Sequence, residues 1–153
     1  MIIGYQNGLL EVYFESDGSI LTVVDILEKP TIAPNKKGIN HFNEYNGLIY
    51  ISTGYGISVY DLQRLEFGDT YFIGNGGSQI LVKQTTIFGN FIYAACDNSN
   101  AIKKAAVNDP NIIDYQQWQT LNTGDFLSIE SVDDKLYAIK TTRVLYEIVN
   151  DNF

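Results

Sequence analysis

The chain is 153 residues long, 45% apolar, 13% aromatic and 18% charged, with 10 basic residues against 18 acidic ones and a net charge of −8. That is about one domain with enough apolar surface for a core, and its acidic character argues against binding nucleic acid or an anionic membrane surface. The single cysteine cannot close an intrachain disulfide, no apolar run approaches the roughly 18 residues of a membrane span, and the single histidine leaves little catalytic raw material.

The opening, Met1-Ile2-Ile3-Gly4-Tyr5, has no basic region, no sustained apolar stretch and no small-residue cleavage site, so it does not read as a signal peptide. It reads as the middle of a strand that turns at Gln6-Asn7-Gly8 and returns through Leu9 to Phe14, as though cut from something longer. A further strand is expected at Ile20–Val24. The next set falls at Ile39–Tyr45, around Tyr50, at Ile57–Tyr60 and at Thr70–Ile73. A third falls at Ile80–Phe88, around Tyr93, at Ile102–Ala105 and at Trp118–Leu121. The last falls at Phe126–Val132, around Tyr137 and at Val144–Glu147. The three prolines, Pro30, Pro34 and Pro110, lie in loops between these runs.

The sets repeat. Asn46-Gly47-Leu48-Ile49-Tyr50, Gly89-Asn90-Phe91-Ile92-Tyr93 and Asp133-Asp134-Lys135-Leu136-Tyr137 place a turn pair four residues before a tyrosine, and the tyrosines are 43 and 44 positions apart. Asn-Gly is a strong signal for a two-residue hairpin because its turn requires positive φ; Gly-Asn and Asp-Asp are weaker forms of it. Four short strands per unit at this spacing match a β-propeller blade, whose repeats run to about 40–45 residues in the best-known case. Helical repeats would show apolar spacing of three and four over long stretches; Gly and Asn interrupt every candidate here, and β-branched and aromatic residues dominate. The expected fold is all-β: a partial propeller of about three and a half four-stranded antiparallel blades, with units near residues 1–34, 35–77, 78–122 and 123–153. An open arc leaves apolar faces exposed, so the other blades are expected from elsewhere in a longer chain.

The chemistry-bearing residues read blandly. His41 lies in a strand with no nucleophile and carboxylate arranged around it, and Cys96 follows Ala94-Ala95 as a buried thiol would. One cysteine and one histidine argue against a structural zinc site. Asp97-Asn98-Ser99-Asn100 faintly suggests calcium but lacks the glycine and distal glutamate of an EF-hand, so a polar hairpin tip is the simpler reading. Gly74-Asn75-Gly76-Gly77 precedes a strand, not the helix of a phosphate cradle. No catalytic residue, metal site or cofactor is expected. Tyr55, Arg64, Tyr115 and Trp118 are the candidate partner-binding residues, since Tyr, Trp and Arg are enriched at binding hot spots. Packing between blades is the preferred reading of the aromatic ones.

The run Ser52-Thr53-Gly54-Tyr55-Gly56-Ile57-Ser58-Val59-Tyr60-Asp61-Leu62 resembles the repeat of two-component-regulator-type propellers, with its Thr-x-x-Gly turn and Tyr-Asp strand end. Glu66 to Gly74, then Gln84-Thr85-Thr86-Ile87, then Asn111 to Trp118 resemble more specifically the N-terminal propeller of PorZ-type proteins of the type IX secretion system. That resemblance implies a large non-enzymatic protein at the bacterial cell surface or outer membrane, or in the periplasm, with a second propeller and a C-terminal sorting domain. Its implied partners are a sortase and other secretion components, with cargo attached to lipopolysaccharide, whose glycan is a further implied partner. Direct membrane insertion and nucleic acid are not implied. Two other readings share the generic repeat: the extracellular sensor propeller of a two-component signalling kinase, and a carbohydrate-active propeller enzyme, which would need carboxylates converging from several blades.

Overall fold

A computed structural model describes all 153 residues. The first sheet comprises β1 (Ile2–Gly4), β2 (Leu10–Tyr13) and β3 (Ile20–Val23); the second comprises β4 (Ile39–Tyr45), β5 (Leu48–Thr53), β6 (Gly56–Asp61) and β7 (Glu66–Tyr71). The third holds β8 (Val82–Phe88), β9 (Phe91–Cys96), β10 (Ile102–Ala106) and β11 (Gln119–Leu121); the fourth holds β12 (Phe126–Val132), β13 (Lys135–Lys140) and β14 (Leu145–Ile148). Every strand pairs antiparallel with its neighbour in sequence, and no ladder joins one sheet to the next. Helix is confined to three-residue 3-10 turns at Pro34–Lys36, Asn75–Gly77 and Tyr115–Gln117. The chain is all-β, a partial propeller.

The hairpins follow from their turn residues. Asn46 and Gly47 both have positive φ, 52° and 77°, which closes Tyr45 onto Leu48 across two residues. At the other two repeats only the leading residue is left-handed, Gly89 at 59° and Asp133 at 55°. The Thr-x-x-Gly turn has its own physics. The Thr53 hydroxyl accepts from the Tyr55 amide at 3.3 Å and donates to the Gly56 carbonyl at 2.9 Å, so one side chain ties both ends of the loop. Gly56 has φ 144°, and a Cβ there would lie 2.2 Å from the Tyr71 carbonyl oxygen. Only glycine fits.

The second strand of each central sheet is buried on both faces, which is why β5 and β9 read as near-continuous apolar runs. In β5, Ile49 and Ile51 face the first sheet while Tyr50 faces the third; in β9, Ile92, Ala94 and Cys96 face the second sheet while Tyr93 and Ala95 face the fourth. The repeating tyrosines Tyr50 and Tyr93 are therefore inter-sheet residues, 3% and 5% exposed. Tyr137 occupies the same repeat position on the far side of the fourth sheet and is half-buried. Burial pushes the Cys96 thiol up to about 12.

The first strands, β4, β8 and β12, lie against one another without pairing. Side chains bridge them: Asn40 Nδ2 donates to the Val82 carbonyl at 2.7 Å, Asn43 Nδ2 to the Thr85 carbonyl at 3.1 Å, and Gln84 Nε2 to Glu130 at 2.7 Å. Each of these strands also carries a bulge at its start, between Ile39 and His41, Val82 and Gln84, and Phe126 and Ser128. A bulge re-aims the strand and increases its twist. Three polar inner strands with the same irregularity gather the sheets about one axis.

One strand lies elsewhere than expected. Thr70–Ile73 is not the fourth strand of its unit; β7 starts at Glu66 and ends at Tyr71. The Asp61 carboxylate accepts the amides of Gln63 and Arg64 at 2.8 and 3.0 Å, and Leu65 adopts φ 57°, so the chain reverses at once and pairs Glu66 with Asp61. Phe72 and Ile73 then leave the sheet edge to pack between sheets.

Replacing Thr53 by valine removes both turn hydrogen bonds at a fully buried position, and urea unfolding is expected to show a loss of about 1–3 kcal/mol; Gly56→Ala is expected to lose more, from backbone collision. Unchanged midpoints would contradict the turn analysis. Cys96, fully buried and with its thiolate disfavoured, is expected to resist a thiol-specific reagent at neutral pH until denaturant unfolds the sheets; rapid native-state labelling would contradict the packing.

Candidate partner-binding surface

The four candidate residues separate into two kinds. Tyr55 and Trp118 are 0% and 5% exposed and lie on opposite sides of the second sheet. Tyr71 and Phe72 are consecutive and diverge. Phe72 meets the Tyr55 ring at a centroid distance of 6.2 Å, and Tyr71 meets the Trp118 ring, also at 6.2 Å. The Tyr55 hydroxyl lies 2.7 Å from Ser58 Oγ, and Trp118 Nε1 donates to the Ile112 carbonyl at 2.8 Å, so the polar atom of each ring is satisfied internally. Neither offers a surface to a partner. Both hold neighbouring sheets together, the preferred sequence reading of these aromatics.

Arg64 and Tyr115 are on the outside. Arg64 is 74% exposed at the β6–β7 corner, and its guanidinium lies 3.7 Å from both Asp61 and Glu66. The amides of Arg64 and Gln63, with the nearby guanidinium charge, hold the Asp61 carboxyl below its usual range. Tyr115 sits half-buried on the 3-10 turn before Trp118, and its ring faces Gly77, where an added Cβ would lie 3.6 Å from the ring edge. The β6–β7 corner and the turn facing Gly77 are separate surfaces, so the candidates do not build one site.

The axial band is the polar cluster that sequence reading did not assemble. Glu130 on β12 accepts Gln84 Nε2 at 2.7 Å, Thr86 Oγ1 at 3.0 Å and the Ser131 amide at 3.1 Å. His41 on β4 lies within its field. Burial lowers the His41 pKa, Glu130 opposes this, and Nδ1 is enclosed without a hydrogen-bond partner. Three first strands, each polar at matching positions, were the available signal. Asp97 sits at its hairpin tip with its carboxylate 3.1 Å from Lys83 Nζ and bonded to the Asn98 amide at 2.9 Å. Gly74-Asn75-Gly76-Gly77 closes on itself, the Gly77 amide donating to the Gly74 carbonyl at 2.9 Å. No three His, Cys, Asp or Glu side chains converge as metal ligands.

Comparison with known proteins gives this geometry a relationship. The family model of the PorZ N-terminal β-propeller domain of the type IX secretion system matches residues 1–119. Among solved structures, PorZ of Porphyromonas gingivalis, described as an essential bacterial surface component of that system, superposes with TM-score 0.79 at 16% identity over 99% of this chain and 20% of its own. This chain thus spans about a fifth of that protein's length. The computationally designed Ika4 protein superposes with TM-score 0.66 at 9% identity, covering 95% of this chain and 82% of Ika4. An extracellular domain assigned to a hybrid two-component system of B. thetaiotaomicron gives 0.58 at 12% identity, covering 97% of this chain and 24% of that one. No curated protein sequence matches. At these identities the structural likenesses speak for the fold, and the match of the family model speaks for descent: the chain belongs to the family of PorZ N-terminal β-propeller domains of the type IX secretion system.

Proposed function

We propose that this propeller is a non-enzymatic scaffold of a type IX secretion and cell-surface attachment complex, assisting a sortase that anchors secreted cargo to lipopolysaccharide. The observation that carries the reading is the family model's match across residues 1–119. The chemistry of the chain agrees with it. Three of its carboxylates hold local structural roles: Asp61 closes a corner, Asp97 pairs with Lys83, and Glu130 bridges inner strands. A scaffold needs rigid, polar-rimmed surfaces, and doubly buried sheets supply them. In this reading the protein works at the cell surface or outer membrane within a longer chain that supplies the remaining blades and a C-terminal domain. Arg64 and Tyr115 are its partner contacts, and the lipopolysaccharide glycan is a further partner.

The sensor reading has in its favour the likeness to the two-component extracellular domain, at 0.58, which is weaker and shows fold alone. The test is co-purification. Tagged full-length protein extracted from outer membranes is expected to bring down other secretion components, a sortase among them. Combining Arg64→Ala with Tyr115→Ala is expected to reduce that recovery several-fold at an unchanged thermal midpoint. Recovery of no partner overturns the scaffold reading; a kinase module downstream of a membrane helix transfers the chain to the sensor class.

A further inference from the structure

The β9–β10 loop departs from its counterpart in the second sheet. There, Gly54 and Tyr55 alone join β5 to β6 under the Thr53 clamp. In the third sheet five residues, Asp97 to Ala101, join β9 to β10, and none is glycine. Asn98, Ser99 and Ala101 all take left-handed backbone, φ 55°, 63° and 59°, which asparagine tolerates and which is unfavourable for serine and alanine. The longer loop borders a cleft of about 310 Å³, closed on its other sides by Gly54, by Asn35 and Lys36 of the 3-10 turn, and by the segment from Gln79 to Leu81. This is the end of the molecule opposite the β4–β5 and β8–β9 hairpin turns.

The walls are set before any ligand arrives. A Cβ on Gly54 would lie 2.5 Å from the Lys36 carbonyl oxygen, so the bare glycine lets the 3-10 turn seat directly on the β5–β6 turn. Buried Lys37 ties down the same turn, its Nζ donating to the Leu27 carbonyl at 2.6 Å. Lys36 Nζ donates to Gln79 Oε1 at 3.2 Å, and no carboxylate lies within ion-pair distance of it. Asn100 Nδ2 donates to the Asp97 and Asn98 carbonyls at 2.7 and 3.3 Å, which leaves its Oδ1 open, and the side-chain amides of Asn35 and Asn98 are engaged by no other group of the chain.

These groups specify the ligand. A carboxamide presents a donor and an acceptor together, as a peptide group does. A phosphate has acceptors alone and would leave the carboxamide oxygens facing it unpaired. No aromatic ring lines the cleft, so a planar ring has no stacking platform, and the apolar lining is limited to Ile80 and Leu81. The unpaired ammonium calls for a carboxylate. Charge placement agrees. The opposite end is acidic, its turns carrying Glu44, Asp61, Glu66, Asp109, Asp133 and Asp134 against Arg64 and Lys135. Over the second, third and fourth sheets at the cleft end the balance reverses, with Lys36, Lys83, Lys140 and Arg143 against Asp97 and Asp125. On a chain of net charge −8, this is the end that an acidic ligand can approach. We propose that this cleft, built on Asn35, Lys36, Asn98 and Asn100, binds an acidic peptide segment, with a carboxylate on Lys36 and backbone amides on the carboxamides. Gln79 acts as a positioning residue that holds the ammonium at the cleft edge. The volume is near the lower end of the range for small-molecule sites, about 300–1,000 Å³, which suits a few residues of an extended segment.

This inference stands apart from the scaffold reading, because co-purification of protein partners and peptide binding can each fail alone. Its test is fluorescence anisotropy on the purified full-length protein. The probes are labelled, end-capped peptides that alternate aspartate with glycine, and the same peptides with asparagine or lysine in place of aspartate. Saturable binding of the aspartate peptide is expected, weaker by about tenfold for the asparagine peptide, absent for the lysine peptide and reduced by added salt. Lys36→Gln is expected to weaken the aspartate peptide about tenfold. Lys135→Gln, the same loss of charge at the opposite end, is expected to leave it unchanged. Asn98→Asp keeps the shape and the left-handed backbone while placing a carboxylate in the cleft; its loss of aspartate-peptide binding decides the matter should Lys36→Gln misfold. The proposal is overturned if the aspartate peptide does not bind, if Lys36→Gln and Asn98→Asp leave binding undiminished, if Lys135→Gln weakens it equally, or if inorganic phosphate displaces the peptide at matched concentration.

Discussion

The structure depends on one constraint: a sheet that is apolar on both faces must be covered on both faces. Ile51 and Tyr50 are neighbours in sequence and both buried, yet they point to different sheets, and the same holds for Ala94 and Ala95. A single two-layer sandwich satisfies one face of each sheet and leaves the other wet. Successive sheets arranged about an axis satisfy both. The hydrophobic term, about 25 cal/mol per Å² of apolar area removed from water, then acts at every interface between sheets. The polar ladder from Asn40, Asn43, Gln84 and Glu130 acts where the first strands of successive sheets come together.

Much of this was legible in the sequence because it is local or periodic. The turn pairs at Asn46, Gly89 and Asp133 require particular φ values, and their spacing fixes the unit. Thirteen of the fourteen strands fall where turn signals and β-branched runs place them. What was not legible depends on contacts between units. Thr70–Ile73 carries strong strand propensity, but the Asx turn at Asp61 and the left-handed Leu65 commit the chain to pairing earlier, at Glu66. Tyr55 looks like a loop aromatic; Phe72, seventeen positions on, closes over it. Trp118 looks like a hot spot; Tyr71 and the Ile112 carbonyl claim it.

The ion pair of Lys104 with Asp151 shows the same limit from the other side. Lys104 and Asp151 are 47 positions apart, and nothing in either neighbourhood announces a pair. Across the three repeats the tyrosine's partner is Val59, Lys104 and Glu147, apolar only in the second sheet, so the period places the position without fixing its chemistry. Arg64 and Tyr115, in contrast, lie on separate surfaces, the first exposed and the second half-buried, and do not converge.

The arrangement of the sheets is most directly tested by nuclear Overhauser contacts in solution. Successive sheets gathered at an axis require contacts between the indole of Trp118 and the ring of Tyr71, and between the Asn43 side-chain amide and the backbone at Thr85. They also require that no strand-type backbone contacts connect β7 with β8. Backbone contacts running from β7 directly into β8, with Trp118 far from Tyr71, would mean one continuous sheet and would contradict the account.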